Sequence, residues 1–180
     1  MKKIICTLLF ATVISGGCSS TQVSDDVFVT YKVKKHGYSI DFPESWSVEK
    51  YESGLMSILG SSPAENREDM FTENVGVAIE PLTGANAYMA LDEYFELSIK
   101  GMENALDDYQ LIKQSKTKVD GREAYVVVQT YEFGSVKIKS LMYILVINQT
   151  GYVLAFTASP QTFNRYLDIF QAIVDRFRFY

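Results

Sequence analysis

The residues that most often carry chemistry are scarce in this chain. His36 is its only histidine, and Cys6 and Cys18 are its only cysteines. A serine or cysteine nucleophile needs a base within hydrogen-bond reach and a third group to orient it. A zinc site needs several nitrogen or sulfur ligands converging on one point. A lone imidazole beside Gly37 supplies neither, so His36 reads as an exposed turn residue. Carboxylates are plentiful, and Asp25-Asp26, Glu68-Asp69, Asp92-Glu93 and Asp107-Asp108 are the adjacent pairs. Inside a cleft such pairs would serve as acid and base of a hydrolase. Here they fall in polar segments or on a polar helix face, where carboxylates are solvated. Glu65, Glu68, Asp69 and Glu73 offer oxygen ligands for calcium, but the spacing and central glycine of an EF-hand loop are missing. No Gly-x-Gly-x-x-Gly, Walker loop or Gly-x-Ser-x-Gly elbow occurs. The expectation is a protein that is not an enzyme, with no cofactor and no metal.

Cys18 carries a different signal. Lys2 and Lys3 precede an apolar run from Ile4 to Ile14, followed by Ser15-Gly16-Gly17-Cys18. Positive charge, a short apolar core and small residues make a secretory signal peptide. The run is well short of the roughly 20 residues a membrane-spanning helix needs. Small residues ending at a cysteine resemble a bacterial lipobox, although Ser15 stands where that motif usually has leucine. The resemblance implies lipidation of Cys18, which then becomes the first mature residue. The plainer alternative is an ordinary signal cut near Gly17 or Ser20, with Cys18 incidental. In Gram-negative lipoproteins an aspartate after the cysteine tends to mean inner-membrane retention. Ser19 occupies that place, which favours the outer membrane, facing the periplasm.

The expected organisation is residues 1–17 as signal, 18–26 as tether and 27–180 as one domain. Removing 1–17 leaves 163 residues, enough to bury a core without staples. It also takes Cys6 away, so no internal disulfide is expected. The whole chain has 17 basic and 22 acidic residues. Loss of Lys2 and Lys3 leaves 15 basic against 22 acidic, a formal charge of −7. Nucleic-acid binders carry a basic stripe, and none is visible here. Lys32, Lys34 and Lys35, interleaved with Tyr31 and Val33, read as a solvated strand face.

Periodicity then places the elements. Tyr38, Ile40 and Phe42 alternate, a half-buried strand that Pro43 ends. Trp46 to Tyr51 reads as its returning strand, with Trp46 plugging the core. Leu55 to Leu59 is a third short strand. Ser61 to Glu73 is polar, a loop or frayed turn, and Asn74 to Leu82 is a strand. Leu91, Phe95, Ile99, Met102 and Leu106 share one helical face within a helix over 86–106. Tyr109–Val119, Arg122–Phe133, Ile138–Ile147 and Tyr152–Ala158 are long strands joined by tight turns at Asp120-Gly121, Gly134-Ser135 and 148–151. The apolar run in Ile138–Ile147 suits a central strand covered on both faces. Ser159-Pro160 opens a second helix, with Phe163, Tyr166, Leu167 and Phe170 buried. The fold class is α+β: a central antiparallel β-sheet, a meander, with flanking helices.

In this order the motifs become recognisable. Tyr38-Ser39-Ile40-Asp41-Phe42-Pro43-Glu44-Ser45-Trp46, then Asn74-Val75-Gly76-Val77, a helix, Val119-Asp120-Gly121-Arg122-Glu123-Ala124 and a Phe-rich final helix resemble the PsbP-like superfamily. The resemblance is nearest to its bacterial DcrB-like and PsbP-related lipoproteins, and it covers about residues 36 to 180. It implies an antiparallel sheet with packed helices, and action by binding other macromolecules. The leading expectation is a lipid-anchored envelope protein that binds an unidentified protein partner. The membrane is reached through lipid on Cys18. A carrier of a small apolar ligand is the alternative, with Tyr125, Tyr131, Tyr143 and Tyr152 as the candidate binding surface. A third reading is an effector-chaperone-like binder of apolar helices.

Overall fold

The computed structural model describes residues 27–64 and 71–180. Ten strands and two helices follow in order: β1 Phe28–Val33, β2 Tyr38–Pro43, β3 Ser47–Lys50, β4 Met56–Ser61, β5 Asn74–Pro81, α1 Leu91–Ala105, β6 Asp107–Val119, β7 Arg122–Phe133, β8 Val136–Ile147, β9 Thr150–Ala158, α2 Phe163–Arg176 and β10 Arg178–Phe179. Seven strands form one sheet in the order β3-β4-β5-β9-β8-β7-β6, every neighbouring pair antiparallel. The expected α+β class with a central antiparallel sheet is the one observed. Two consecutive runs, β3 to β5 and β6 to β9, are meanders, and β5 pairing with β9 joins them.

One expectation is corrected. The strand after Trp46 does not return along β2. β3 pairs with β4, while β2 pairs with β1 and β10 in a separate three-stranded sheet. Pro43 and the turn that closes with Trp46 N–H donating to Pro43 O at 3.0 Å carry the chain from one sheet to the other. Sequence periodicity marks each strand but not its partner. The partner of β2 on one side is β10, more than 130 positions away. Both helices are also shorter than read. A single 3-10 turn over 84–86 precedes α1. Ahead of α2, Thr162 N–H donates to Ser159 Oγ at 3.2 Å, so the serine caps an entry turn and the helix begins at Phe163.

Turn chemistry explains the hairpins. Asp120 and Gly121 have φ of 48° and 75°, and Val119 pairs directly with Arg122. Two left-handed residues give the type I′ turn that matches strand twist. Asn148 and Gln149 do the same between β8 and β9, at 47° and 60°.

Both faces of the large sheet are covered. On one face α1 packs Tyr94, Phe95 and Ile99 against Val127, Met142 and Ile144. On the other, α2 and the small sheet enclose Val75, Val77, Tyr143, Leu154 and Phe156 with Tyr38, Phe42, Phe170 and Phe177. β8 lies between β9 and β7 and is buried along most of its length, as its unbroken apolar run implies. Aromatic rings fill the second interface. Tyr38 stacks on Phe177 at 5.1 Å, Phe156 on Phe170 at 5.2 Å and Phe42 on Trp46 at 6.3 Å. Trp46 is a core residue, 7 % exposed.

Gly60 sets how closely the two sheets approach. A Cβ there would lie 2.4 Å from Phe42 Cε1 and 2.5 Å from Cδ1. Gly60→Ala is therefore expected to cost about 1–3 kcal/mol through overpacking. A lower urea midpoint at unchanged m-value will report it, and adding Phe42→Leu should restore part of the loss.

Candidate functional site

The four tyrosines do not converge. On β7, Tyr125 and Tyr131 are an even number of residues apart, so both point to the α1 face. Tyr125 stacks flat on Phe95 of α1, centroids 3.9 Å apart, and its hydroxyl donates to Asp92 Oδ1 at 3.0 Å. Tyr143 and Tyr152 belong to the opposite core, 7 % and 8 % exposed. Tyr143 hydroxyl reaches Gln171 Oε1 at 3.5 Å, and Tyr152 hydroxyl donates to the His36 carbonyl at 3.2 Å. Burial raises the Tyr131, Tyr143 and Tyr152 hydroxyl pKa values above the usual phenol range. Each ring is thus packed within the fold, on one face or the other.

The carboxylates are distributed as well. Asp92 sits in the first turn of α1, where the helix dipole favours a negative charge. Lys116 Nζ of β6 lies 2.7 Å from its Oδ1, so the pair bridges α1 and the β6–β7 ribbon. Glu73, the one described residue of the calcium-type set, is buried; its carboxylate accepts hydrogen bonds from Ser62, at 3.3 Å, and from Thr162 at the entry to α2. Asp25-Asp26, Glu65 and Glu68-Asp69 lie outside the described residues, as does Cys18. Among the described residues no cluster of three or more His, Cys, Asp or Glu could hold a metal ion. His36 is half-buried in the 3-10 turn Lys34–His36 rather than exposed.

A cleft of about 190 Å³ opens between α1 and the sheet, lined mainly by Leu55, Ile79, Met102, Met142, Ile144 and Val153. Glu80, Tyr94 and Ser98 supply its polar groups, the Tyr94 hydroxyl donating to Glu80 Oε2 at 2.9 Å. Gly151 makes room for that ring: a Cβ there would stand 2.3 Å from Tyr94 Cζ. The tyrosine at this cleft is one that periodicity did not single out, because Tyr94 lies beside the Leu91-Phe95-Ile99 stripe.

A further solvated feature is the sheet edge. β6 is 13 residues long, pairs on one side with β7 and ends the strand order. Almost all of it is exposed. Ile112, 56 % exposed, stands at a bulge between Leu111 and Lys113, and Phe133 at the end of β7 is 74 % exposed. Lys113, Lys116 and Lys118 punctuate the strand, a usual way of keeping an open edge from self-pairing. The polar sequence Lys113-Gln114-Ser115-Lys116-Thr117-Lys118 carries that signal, but strand order is needed to recognise the edge.

A seven-stranded antiparallel sheet with a helix on each face and a small second sheet defines an α+β domain of one recognisable class. The PsbP-like family model matches residues 13–179, and the chain belongs to that family. Solved structures share the fold. Cyanobacterial PsbP from Synechocystis superposes with TM-score 0.61 at 17% identity, covering 92% of this chain and 98% of its own. LpqN of Mycobacterium tuberculosis gives 0.59 at 12%, covering 87% and 92%. A Pseudomonas aeruginosa protein of unknown function gives 0.59 at 10%, covering 83% and 94%. No curated protein matches the sequence.

The Asp92 contact makes a pH prediction. Lys116 first, then Tyr125, hold its carboxyl below the ordinary range. A folded pKa below the unfolded one stabilises above about pH 4 and fades as pH falls through the folded value. Asp92→Asn should flatten that part of the acid limb in thermal melts taken between about pH 2 and 6.

Proposed function

We propose that this chain is a lipid-anchored, non-catalytic protein of the bacterial envelope that binds a protein partner along the open edge of its large sheet. The observation that carries the reading is β6. It presents 13 residues of edge backbone with Leu111 and Ile112 exposed beside its bulge. Strand addition uses such an edge: main-chain hydrogen bonds give affinity, and side-chain pockets give specificity. The bulge and the lysines limit pairing with a second identical edge, so the design suits a chosen partner.

Family membership supports the binding role, and the envelope setting has support from LpqN, which is described as involved in cell envelope biogenesis of its organism. Cys18 supplies the anchor in this reading. Among the described residues no helix is long and apolar enough to cross a membrane. A lipid on Cys18 would tether the domain through residues 18–26, on the periplasmic side of an outer membrane if the host has one. A single acyl chain holds weakly, whereas two or more anchor stably.

The cleft beneath α1 favours a second reading, a carrier of a small apolar molecule. Its wall is mostly aliphatic and thioether, with one hydroxyl–carboxylate pair to orient a ligand. At about 190 Å³ it is below the range of drug-sized sites, so only a small molecule fits. Native mass spectrometry of the protein purified from cells checks this: a co-purifying mass lost in Met142→Trp supports the carrier, and its absence counts against it.

Two outcomes are expected for the main reading. Cys18→Ala should move the protein from the membrane to the soluble fraction; persistence in the membrane would show that the anchor lies elsewhere. A photoreactive residue at Gln114 should crosslink a discrete partner in cells. Ile112→Asp should abolish that product while leaving the melting temperature within a few degrees, as surface changes usually do.

A further inference from the structure

The chain is acidic overall, yet one cleft is lined by lysines. It lies at the seam between the two sheets, where the end of β1 and the 3-10 turn after it face the end of β3. Lys32, Lys34, Lys35 and Lys50 line it together with His36, around a space of about 290 Å³. Glu52 is the one carboxylate in its wall. Among the described residues none of these four lysines forms an ion pair with a carboxylate.

Two of the lysines are already positioned. Lys35 Nζ crosses the seam to donate to the Glu52 carbonyl at 3.0 Å. Lys50 Nζ returns to the Lys32 carbonyl at 3.4 Å and lies 5.7 Å from the Tyr31 ring centre. These acceptors are neutral, so the hydrogen bonds orient the ammonium groups without cancelling their charge. The core fixes the turn that carries Lys34 and Lys35. Gly37 closes it in the left-handed region at φ 66°, its N–H donating to the Lys34 carbonyl at 3.3 Å. Tyr180 N–H donates to the Gly37 carbonyl at 2.9 Å, and Tyr152 hydroxyl to the His36 carbonyl. His36 senses the field. Burial first, then the Lys35 charge, hold its imidazole below the usual range, with Glu52 opposing.

We propose that this seam cleft is an anion site that takes a phosphate group, from either a lipid headgroup or a soluble phosphate. Several lysines around one concavity act as point charges on a compact anion, whereas a single carboxylate is better matched by an arginine fork. No arginine lines the cleft. The site lies on a different strand pair from the β6 edge, and it stands or falls independently of partner binding there.

His36 makes the test direct, because the only histidine of the chain gives the only imidazole signals in a proton NMR spectrum. The full chain is titrated with inorganic phosphate, with dihexanoyl phosphatidylglycerol below its micelle concentration, and with chloride at matched ionic strength. A bound anion favours the charged imidazole. The expected result is a saturable movement of the His36 signals and an upward shift of their titration midpoint. The double variant Lys34→Gln, Lys35→Gln should bind roughly tenfold more weakly or worse, and Lys34→Arg, Lys35→Arg should still bind. Saturation by inorganic phosphate identifies a soluble phosphate as sufficient; saturation by the lipid alone identifies the headgroup. Signals that respond equally to chloride, or that do not saturate with either phosphate, overturn the site.

Discussion

The ring of Phe42 occupies the space a side chain on Gly60 would fill, and this contact lets the small sheet close on the large one. Phe42 belongs to β2, in the three-stranded sheet. Gly60 belongs to β4, in the seven-stranded one. With that gap filled by an aromatic ring, Phe42 stacks on Trp46 and Tyr38 on Phe177 within one apolar cluster that includes α2. Such a layer gains from area burial and from ring geometry. A methyl group at position 60 would hold the sheets apart, and the rings would lose contacts on one side.

The same device recurs on the opposite face. Tyr94 lies over Gly151, which lets α1 settle onto β9. The Asp92–Lys116 pair and the Phe95–Tyr125 stack then extend the helix contact toward the sheet edge. The ion pair is exposed and worth little by itself, so the ring packing does most of the fastening. Two glycines thus fix two interfaces, and each interface borders a cleft. The seam between the sheets carries the lysines, and the gap beside Tyr94 carries the apolar wall. What remains outside both is β6, long, polar and paired on one side.

The strands of the large sheet were legible because their patterns are local. Tyr125-Val126-Val127-Val128 alternates between two buried faces, and the apolar run of β8 announces cover on both sides. Asp120-Gly121 announces its turn because two left-handed residues are cheap there. The partner of β3 is not legible in the same way, for an equally physical reason. A proline turn between two apolar strands looks the same whether the chain folds back on itself or crosses to another sheet. Residue type alone groups the four tyrosines, while strand parity assigns them to opposite faces. Tyr94 at the apolar cleft stayed hidden, since it lies beside the helical stripe.

The sequence by itself determined the α+β class, the approximate extent of the long strands, the two helical stripes, and the scarcity of histidine and thiol. These follow from short-range periodicity and from composition, which need no knowledge of neighbours in space. Only the tertiary structure decided that β2 pairs with β10, that Lys32, Lys34 and Lys35 meet Lys50 in one cleft, and that β6 ends the sheet. Those facts depend on which strands lie side by side. That choice is made by long-range packing, of which the fit of Phe42 over Gly60 is one part.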